Sequence, residues 1–334
     1  MGWAHRRRPR GGRGGRLSCE AGGRRSGLRG TLFRECGRPG LPPMRWRVGI
    51  LTGWLVIGWI PAGWAAEQPA PRSGQLLYSR LTSGTWQLWL TDLETGRKTQ
   101  LTDDAGDKRY PSWSADGAVT YHTSNHASYR VRDRESQPLL SSWWPARDVA
   151  WSPDGSQVAF ARFRTDLVDS ANIWVADADG ANARMLTRNT GIQYNPSWSP
   201  DSRALAYVAG QGYGTYEVYI IGIEGGASKR LTTNEAHEFL PAWSPDGSQI
   251  AFASDRTGDY EIWIMRSDGT GQRQLTYSPG LDTRPAWSPD GQWIAFTSNR
   301  SGRLGVWVMR ADGSDSQALE TDGEGACDAA WRAG

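Results

Sequence analysis

Pro241-Ala242-Trp243-Ser244-Pro245-Asp246-Gly247 returns as Pro285-Ala286-Trp287-Ser288-Pro289-Asp290-Gly291, and weaker copies precede both. Counted back from the C-terminus, the tryptophans of this phrase are Trp331, Trp287, Trp243, Trp198, Trp151 and Trp113, at intervals of 44, 44, 45, 47 and 38 residues. A period of that size is what one four-stranded propeller blade takes up. After the phrase comes a short apolar strand, as in Ile250-Ala251-Phe252, Ile294-Ala295-Phe296, Leu205-Ala206-Tyr207 and Val158-Ala159-Phe160. A third strand alternates around an aromatic residue, as in Ile262-Trp263-Ile264 and Val306-Trp307-Val308, and a fourth ends near Leu275-Thr276 or Leu231-Thr232. Short runs rich in β-branched and aromatic residues, bounded by Gly, Asp, Ser and Pro, predict strands and not helices.

The turns have their own chemistry. In Ser-Pro-Asp-Gly, Pro presets φ for the second position of a type I turn, Asp bonds locally to backbone amides, and Gly takes the left-handed position without a Cβ clash. This turn is expected between strands one and two, with Ser267-Asp268-Gly269 and Ala311-Asp312-Gly313 closing strands three and four. The repeated Trp reads as packing between neighbouring blades.

The ends of the array suggest how it closes. The first unit begins at Gln75-Leu76-Leu77-Tyr78, which matches strand two, and the last stops after Asp328-Ala329-Ala330-Trp331, which matches strand one. Pairing the C-terminal strand into the N-terminal blade would remove exposed edges. The expectation is an all-β fold, a closed six-bladed β-propeller over 75–334.

These phrases resemble the repeats of the TolB family of β-propellers, over about 75 to 334, most strongly in the last three units. The permuted closure is similar too. The resemblance implies a non-catalytic extracytoplasmic scaffold, with an envelope lipoprotein as the partner bound at the propeller mouth. It is a resemblance to the propeller half alone, because TolB carries an α/β domain before its propeller and nothing between Ala66 and Gly74 matches one.

Residues 1–43 hold 11 Arg, are dense in Gly and lack apolar periodicity, so they read as a disordered leader. From Met44 a secretory signal is expected over 44–65. Arg45 and Arg47 form a positive start, Val48 to Ile60 an uncharged apolar stretch, and Gly63-Trp64-Ala65 a small-residue cleavage site. Residues 66–74 form a linker. An uncleaved anchor is disfavoured, because Pro61 interrupts the run and a spanning helix needs about 20 apolar residues.

Without 1–65 the chain keeps 25 Lys and Arg against 33 Asp and Glu, a net charge of −8 where the whole chain has +3. An acidic propeller disfavours nucleic acid, whose binding is driven by neutralising cations. Cys327 is then the sole cysteine, so no internal disulfide is expected.

Function is expected on the loops between strands two and three and on the blade connectors, which share one end of the strands and vary in length and chemistry. The residues entering each first strand should crowd the channel mouth. From them the candidate partner-binding set is Arg109, Tyr110, Arg147, Asp148, Tyr194, Asn195, Glu238, Phe239, Asp282, Arg284 and Asp328. Mixed charge with aromatic and Arg anchors suits a protein or peptide. No cofactor and no metal are expected, and the chain is expected to act as a monomer. The alternative is a propeller enzyme, a metal-dependent lyase or hydrolase acting on a polysaccharide or peptide in the channel. Against it, no Gly-x-Ser-x-Gly elbow occurs, and His122, His126 and His237 read as separate exposed loop residues.

Overall fold

The computed structural model describes residues 73–332, apart from 125–126, 133, 141–145, 164–169, 189–190 and 211–213. The expected leader, signal peptide and most of the linker lie outside the described residues, as does His126. All described residues belong to the compact unit Pro61–Gly334.

The chain opens with β1 (Gln75–Thr82), β2 (Thr85–Asp92) and β3 (Lys98–Gln100). A meander follows of β4 (Arg109–Trp113), β5 (Val119–His122), β6 (Ser128–Arg132) and β7 (Glu135–Leu139). Next come β8 (Ala146–Trp151), β9 (Gln157–Phe163), β10 (Ala171–Asp177) and β11 (Arg184–Met185), then β12 (Ile192–Trp198), β13 (Ala204–Gly210), β14 (Tyr216–Gly222) and β15 (Lys229–Arg230). The most regular repeats are β16 (Glu238–Trp243), β17 (Gln249–Ser254), β18 (Glu261–Arg266) and β19 (Arg273–Gln274), followed by β20 (Asp282–Trp287), β21 (Trp293–Ser298), β22 (Gly305–Arg310) and β23 (Gln317–Glu320). The last strand, β24 (Ala326–Trp331), lies antiparallel on β1, with Leu76 opposite Trp331 and Leu77 opposite Ala330.

Hydrogen bonding corrects the expected closed six-bladed ring. Four sheets are separate four-stranded blades: β24-β1-β2-β3, β4 to β7, β16 to β19, and β20 to β23. The strands β8 to β15 form one eight-stranded sheet, and no sheet closes on itself by hydrogen bonds. The physical reason is local. Ala171 pairs in parallel with Ile192, and the Ala171 amide donates to the Gly191 carbonyl at 3.2 Å, so β10 and β12 join across what the repeat alone would leave as a gap.

Packing between sheets accounts for the recurring residues. Second strands are buried on both faces: Val158 to Ala161, Ile250 to Ala253 and Ile294 to Phe296 are all sealed. This explains why they read as unbroken apolar runs and do not alternate. The small Ala in each run makes room for the tryptophan of the next unit. Ala251 shares a cluster with Trp287, Ala159 and Ala161 with Trp198, and Ala206 has Trp243 packed beside it. The indoles also bond across the seams, from Trp287 Nε1 to the Ala242 carbonyl at 3.1 Å and from Trp198 Nε1 to the Ala150 carbonyl at 2.9 Å. Trp113 Nε1 reaches the Ala330 carbonyl of β24 at 3.3 Å.

The Ser-Pro-Asp-Gly turn shows why it recurs. Ser244 Oγ donates to Asp246 Oδ1 at 2.5 Å and accepts from the Gln249 amide at 2.9 Å, while Asp246 Oδ1 takes the Ser248 amide at 3.0 Å. Gly247 sits at φ +71°. Donation from Ser244, Ser248 and the Ser248 amide holds the Asp246 carboxyl below the usual carboxylate range.

Candidate functional site: the channel mouth

The opposite ends of the strands share an irregularity that the repeat does not announce. On β4, β8, β12, β16 and β20 the ladder to the following strand slips, and the β1–β24 ladder slips likewise. At each slip stands a residue of positive φ, namely Tyr110, Asp148, Asn195, Leu240, Arg284 and Asp328, at +51° to +60°. None is glycine. Asn and Asp tolerate this region, but Tyr, Leu and Arg pay about 1–2 kcal/mol for it. A bulge turns the strand and re-aims its side chains. Tyr110, Asp148, Asn195, Leu240 and Arg284 line two cavities at once, one of about 490 Å³ and one of about 180 Å³, and so form the waist between them.

The smaller cavity is walled by the next residues along the same strands, including Pro111, Pro196, Pro241 and Pro285, and by Asp328. Asp328 organises the charges here. Its side chain is sealed, Oδ2 takes Arg109 Nε at 2.7 Å and the Tyr110 amide at 3.2 Å, and Oδ1 lies 2.8 Å from Arg284 Nε. Burial alone would raise this carboxyl, but Arg284 and Arg109 together hold it below the usual range. Burial pulls the Arg109 guanidinium down, yet the net shift is upward because Asp328 is so close. Both arginines stack on Tyr110, with Arg284 Cζ 4.3 Å and Arg109 Cζ 5.4 Å from the ring centre.

The larger cavity has an aromatic side. Tyr194 meets Tyr216 at 5.5 Å and Phe239 at 5.9 Å between ring centres, and Phe239 continues to Tyr260 at 5.6 Å. His237 stacks on Phe239 at 6.2 Å and donates through Nδ1 to Asp255 Oδ2 at 3.0 Å. Burial, followed by Tyr216 and Asp148, pushes the Tyr194 phenol well up; burial and then Asp255 push Tyr260 up to about 12. Elsewhere on the wall, Arg147 stacks on Phe163 with Cζ 4.5 Å from the ring, and burial lowers its guanidinium from the ordinary value.

Of the residues expected at the mouth, Tyr110, Arg147, Asp148, Tyr194, Asn195, Phe239 and Arg284 line the larger cavity. Arg109 and Asp328 stand behind it as the ion pair just described. Glu238 and Asp282 do not face it. Both are sealed and serve as anchors for a loop arginine, Glu238 for Arg256 at 2.8 Å and Asp282 for Arg300 at 2.5 Å. His122 is also a correction to the exposed loop position expected for it. It is buried at the end of β5, with Nε2 accepting the Val149 amide at 3.2 Å and Nδ1 3.0 Å from Ser128 Oγ. A ring whose Nε2 accepts is neutral, with its proton on Nδ1.

Tyr216, Tyr260, Phe163, Leu281 and Ile192 also line the larger cavity, although none was in the candidate set. A signal for two of them exists, since Tyr216-Glu217 and Tyr260-Glu261 stand 44 residues apart at the start of successive third strands. Among the described residues no group of three or more His, Cys, Asp and Glu is placed to hold a metal ion. Among the described residues no helix is long and apolar enough to cross a membrane.

The family profile described as "TolB beta propeller domain" matches residues 141–238 and 165–334, more than half of the chain. A Tol-Pal system protein TolB of Anaeromyxobacter dehalogenans is 34% identical over 121 residues, 34% of this chain and 27% of the relative, so the match spans about a quarter of that relative's length. Among solved structures, TolB from Acinetobacter baumannii superposes with TM-score 0.68 at 20% identity, over 79% of this chain and 67% of that one. A putative TolB from Agrobacterium tumefaciens gives 0.64 at 23% identity, over 78% and 98%. At these identities the structural likeness is one of fold. The curated relative is named for the Tol-Pal system.

Proposed function

Because the chain belongs to the TolB β-propeller domain family, we propose that it is an extracytoplasmic, non-catalytic scaffold that binds a protein partner at the channel mouth. The observation that carries this reading is the larger cavity, about 490 Å³, lined by a run of aromatic rings together with Arg147 and Arg284 beside strained strand bulges. Aromatic and Arg side chains dominate the energy of protein interfaces. Local strain gathers where a surface has a task beyond folding. The Tol-Pal name of the relative supports a partner of the envelope, such as a lipoprotein. A periplasmic or secreted location fits the apolar segment that follows Met44.

Photo-cross-linking in the native envelope tests the face. A photoreactive residue is placed at Tyr194 or Thr283, which line the cavity, and at the exposed turn positions Asp246 or Asp290. A partner captured from the first pair and not from the second is expected. Capture only from the turn positions would put the working surface at the wrong end of the strands.

A further inference from the structure

Three arginines approach the mouth from strand bulges, and they are not equivalent. Arg109 and Arg284 share the sealed carboxylate of Asp328 at 2.7 and 2.8 Å. Arg147 occupies on β8 the place that Arg109 occupies on β4, one residue before the left-handed position. Among the described residues no carboxylate lies within ion-pair distance of it, and its Nε is buried without an acceptor. Asp148, next along the chain, takes the Asn195 amide at 3.1 Å through Oδ2. Arg147 is held in place by the Phe163 ring beneath it and faces the larger cavity.

Asp148 offsets only part of the burial of the Arg147 guanidinium, and a half-buried guanidinium without a direct ion pair is costly for the fold, a cost recovered when an anion arrives. The opposite directions of the two guanidinium shifts, Arg147 lowered by burial and Arg109 raised beside Asp328, express the same contrast. The planar fork of an arginine matches a carboxylate through two parallel hydrogen bonds, and stacking on an aromatic ring leaves the edge of the fork open for this. The same cavity also presents the rings of Tyr194, Tyr216, Phe239 and Tyr260, so a segment that brings a carboxylate to Arg147 can bury an apolar side chain beside it.

We propose that the mouth takes a peptide segment in which an acidic side chain is set on Arg147 while a neighbouring aromatic or aliphatic side chain packs against Tyr194, Tyr216 and Phe239. This rests on the reading of the mouth as the partner-binding face. It goes beyond that reading by naming the anchor residue and the chemistry of the segment.

The test starts from a phage-displayed library of random peptides selected on the purified full-length chain. The consensus is expected to place Asp or Glu beside an aromatic or aliphatic residue. A synthetic consensus peptide and its analogue with the acid replaced by the amide (Asp to Asn, Glu to Gln) are then titrated by fluorescence anisotropy. Hydrogen bonds to a charged group are worth enough that the amide analogue should bind about tenfold or more weakly. Arg147→Gln should lose the same factor and no longer distinguish the two peptides, whereas Arg147→Lys should keep part of the preference.

Peptides that bind, are lost with Tyr194→Ala, and yet carry no acid or bind Arg147→Gln undiminished would overturn this inference and leave the mouth as the binding face. If no peptide is enriched, or binding is indifferent to Tyr194→Ala, the binding-face reading falls and takes the inference with it. Should Arg147→Gln fail to fold, the acid and amide peptides on the unaltered chain still decide, equal affinity counting against the proposal.

Discussion

Replacing Asp328 with Asn should be the most damaging isosteric change near the mouth. The carboxylate is sealed, accepts from Arg109 Nε at 2.7 Å and the Tyr110 amide at 3.2 Å through Oδ2, and has Arg284 Nε as an ion-pair partner 2.8 Å from Oδ1. Removing one member of a buried ion pair costs about 3–5 kcal/mol, because the remaining charge stays desolvated and unpaired. The arginine side chains are 26% and 23% exposed, so water recovers part of that, and the lower end, about 3 kcal/mol, is expected. For a domain of this size about 2–4 °C corresponds to each kcal/mol, hence a fall in Tm of roughly 6–12 °C at neutral pH. The sign of the pH dependence follows from the depressed carboxyl. A group whose folded pKa lies below its unfolded value of about 3.9 contributes stability above that pH and loses it as pH falls through the folded value. The gap between the two proteins should therefore be full at neutral pH and close below about pH 4. Combining Asp328→Asn with Arg109→Gln should shrink the penalty, since fewer unpaired cations remain. Thermal unfolding followed by circular dichroism at several pH values reads all of this. A neutral-pH Tm within about 2 °C of the unaltered chain, or a gap that does not change with pH, would refute the reasoning.

Glu261→Gln should have the opposite sign. Burial, opposed by the Thr276 hydroxyl and reinforced by Asp282, pushes the Glu261 carboxyl up to about 7. A raised acid contributes stability that is present below its unfolded pKa, about 4.3, and is lost as pH rises through about 7. The amide, which carries no charge, should be more stable than the carboxyl at pH 8 by about 1–3 kcal/mol, with the advantage gone near pH 4; an unfolding midpoint in urea unmoved at pH 8 would contradict this. Gly269→Ala should cost about 2–4 kcal/mol. Its φ is +93° and a Cβ would stand 2.9 Å from the Leu231 carbonyl oxygen. Gly258→Ala, at φ +109° with nothing near the new atom, should cost only the backbone part, about 1–2 kcal/mol. Equal losses in the two variants would show that the Leu231 contact is irrelevant.

The sequence by itself determined where strands and turns fall. The Trp of each copy ends its first strand at Trp113, Trp151, Trp198, Trp243, Trp287 and Trp331, and the Ser, Asp and Gly of the turn bond to one another within a few residues. Such features are legible because the partners are local and the period repeats them. That β24 pairs with β1 was also readable, since the first unit begins on a second strand and the last ends on a first one, but the register, which slips between Leu77 and Ser79, was not. The tertiary structure decided everything that depends on contacts between units. It joined β10 to β12 through Ala171 and Ile192, which no repeat residue announces, because one parallel bridge depends on how two neighbours meet. It turned Glu238 and Asp282 inward to Arg256 and Arg300, while Arg147 was left facing the cavity. A charged residue at the start of a strand looks the same in sequence whether its counter-ion is a loop arginine, a distant aspartate or none. Only the packing of each strand against its neighbours settles which side chains are spent on holding the propeller and which remain for a partner.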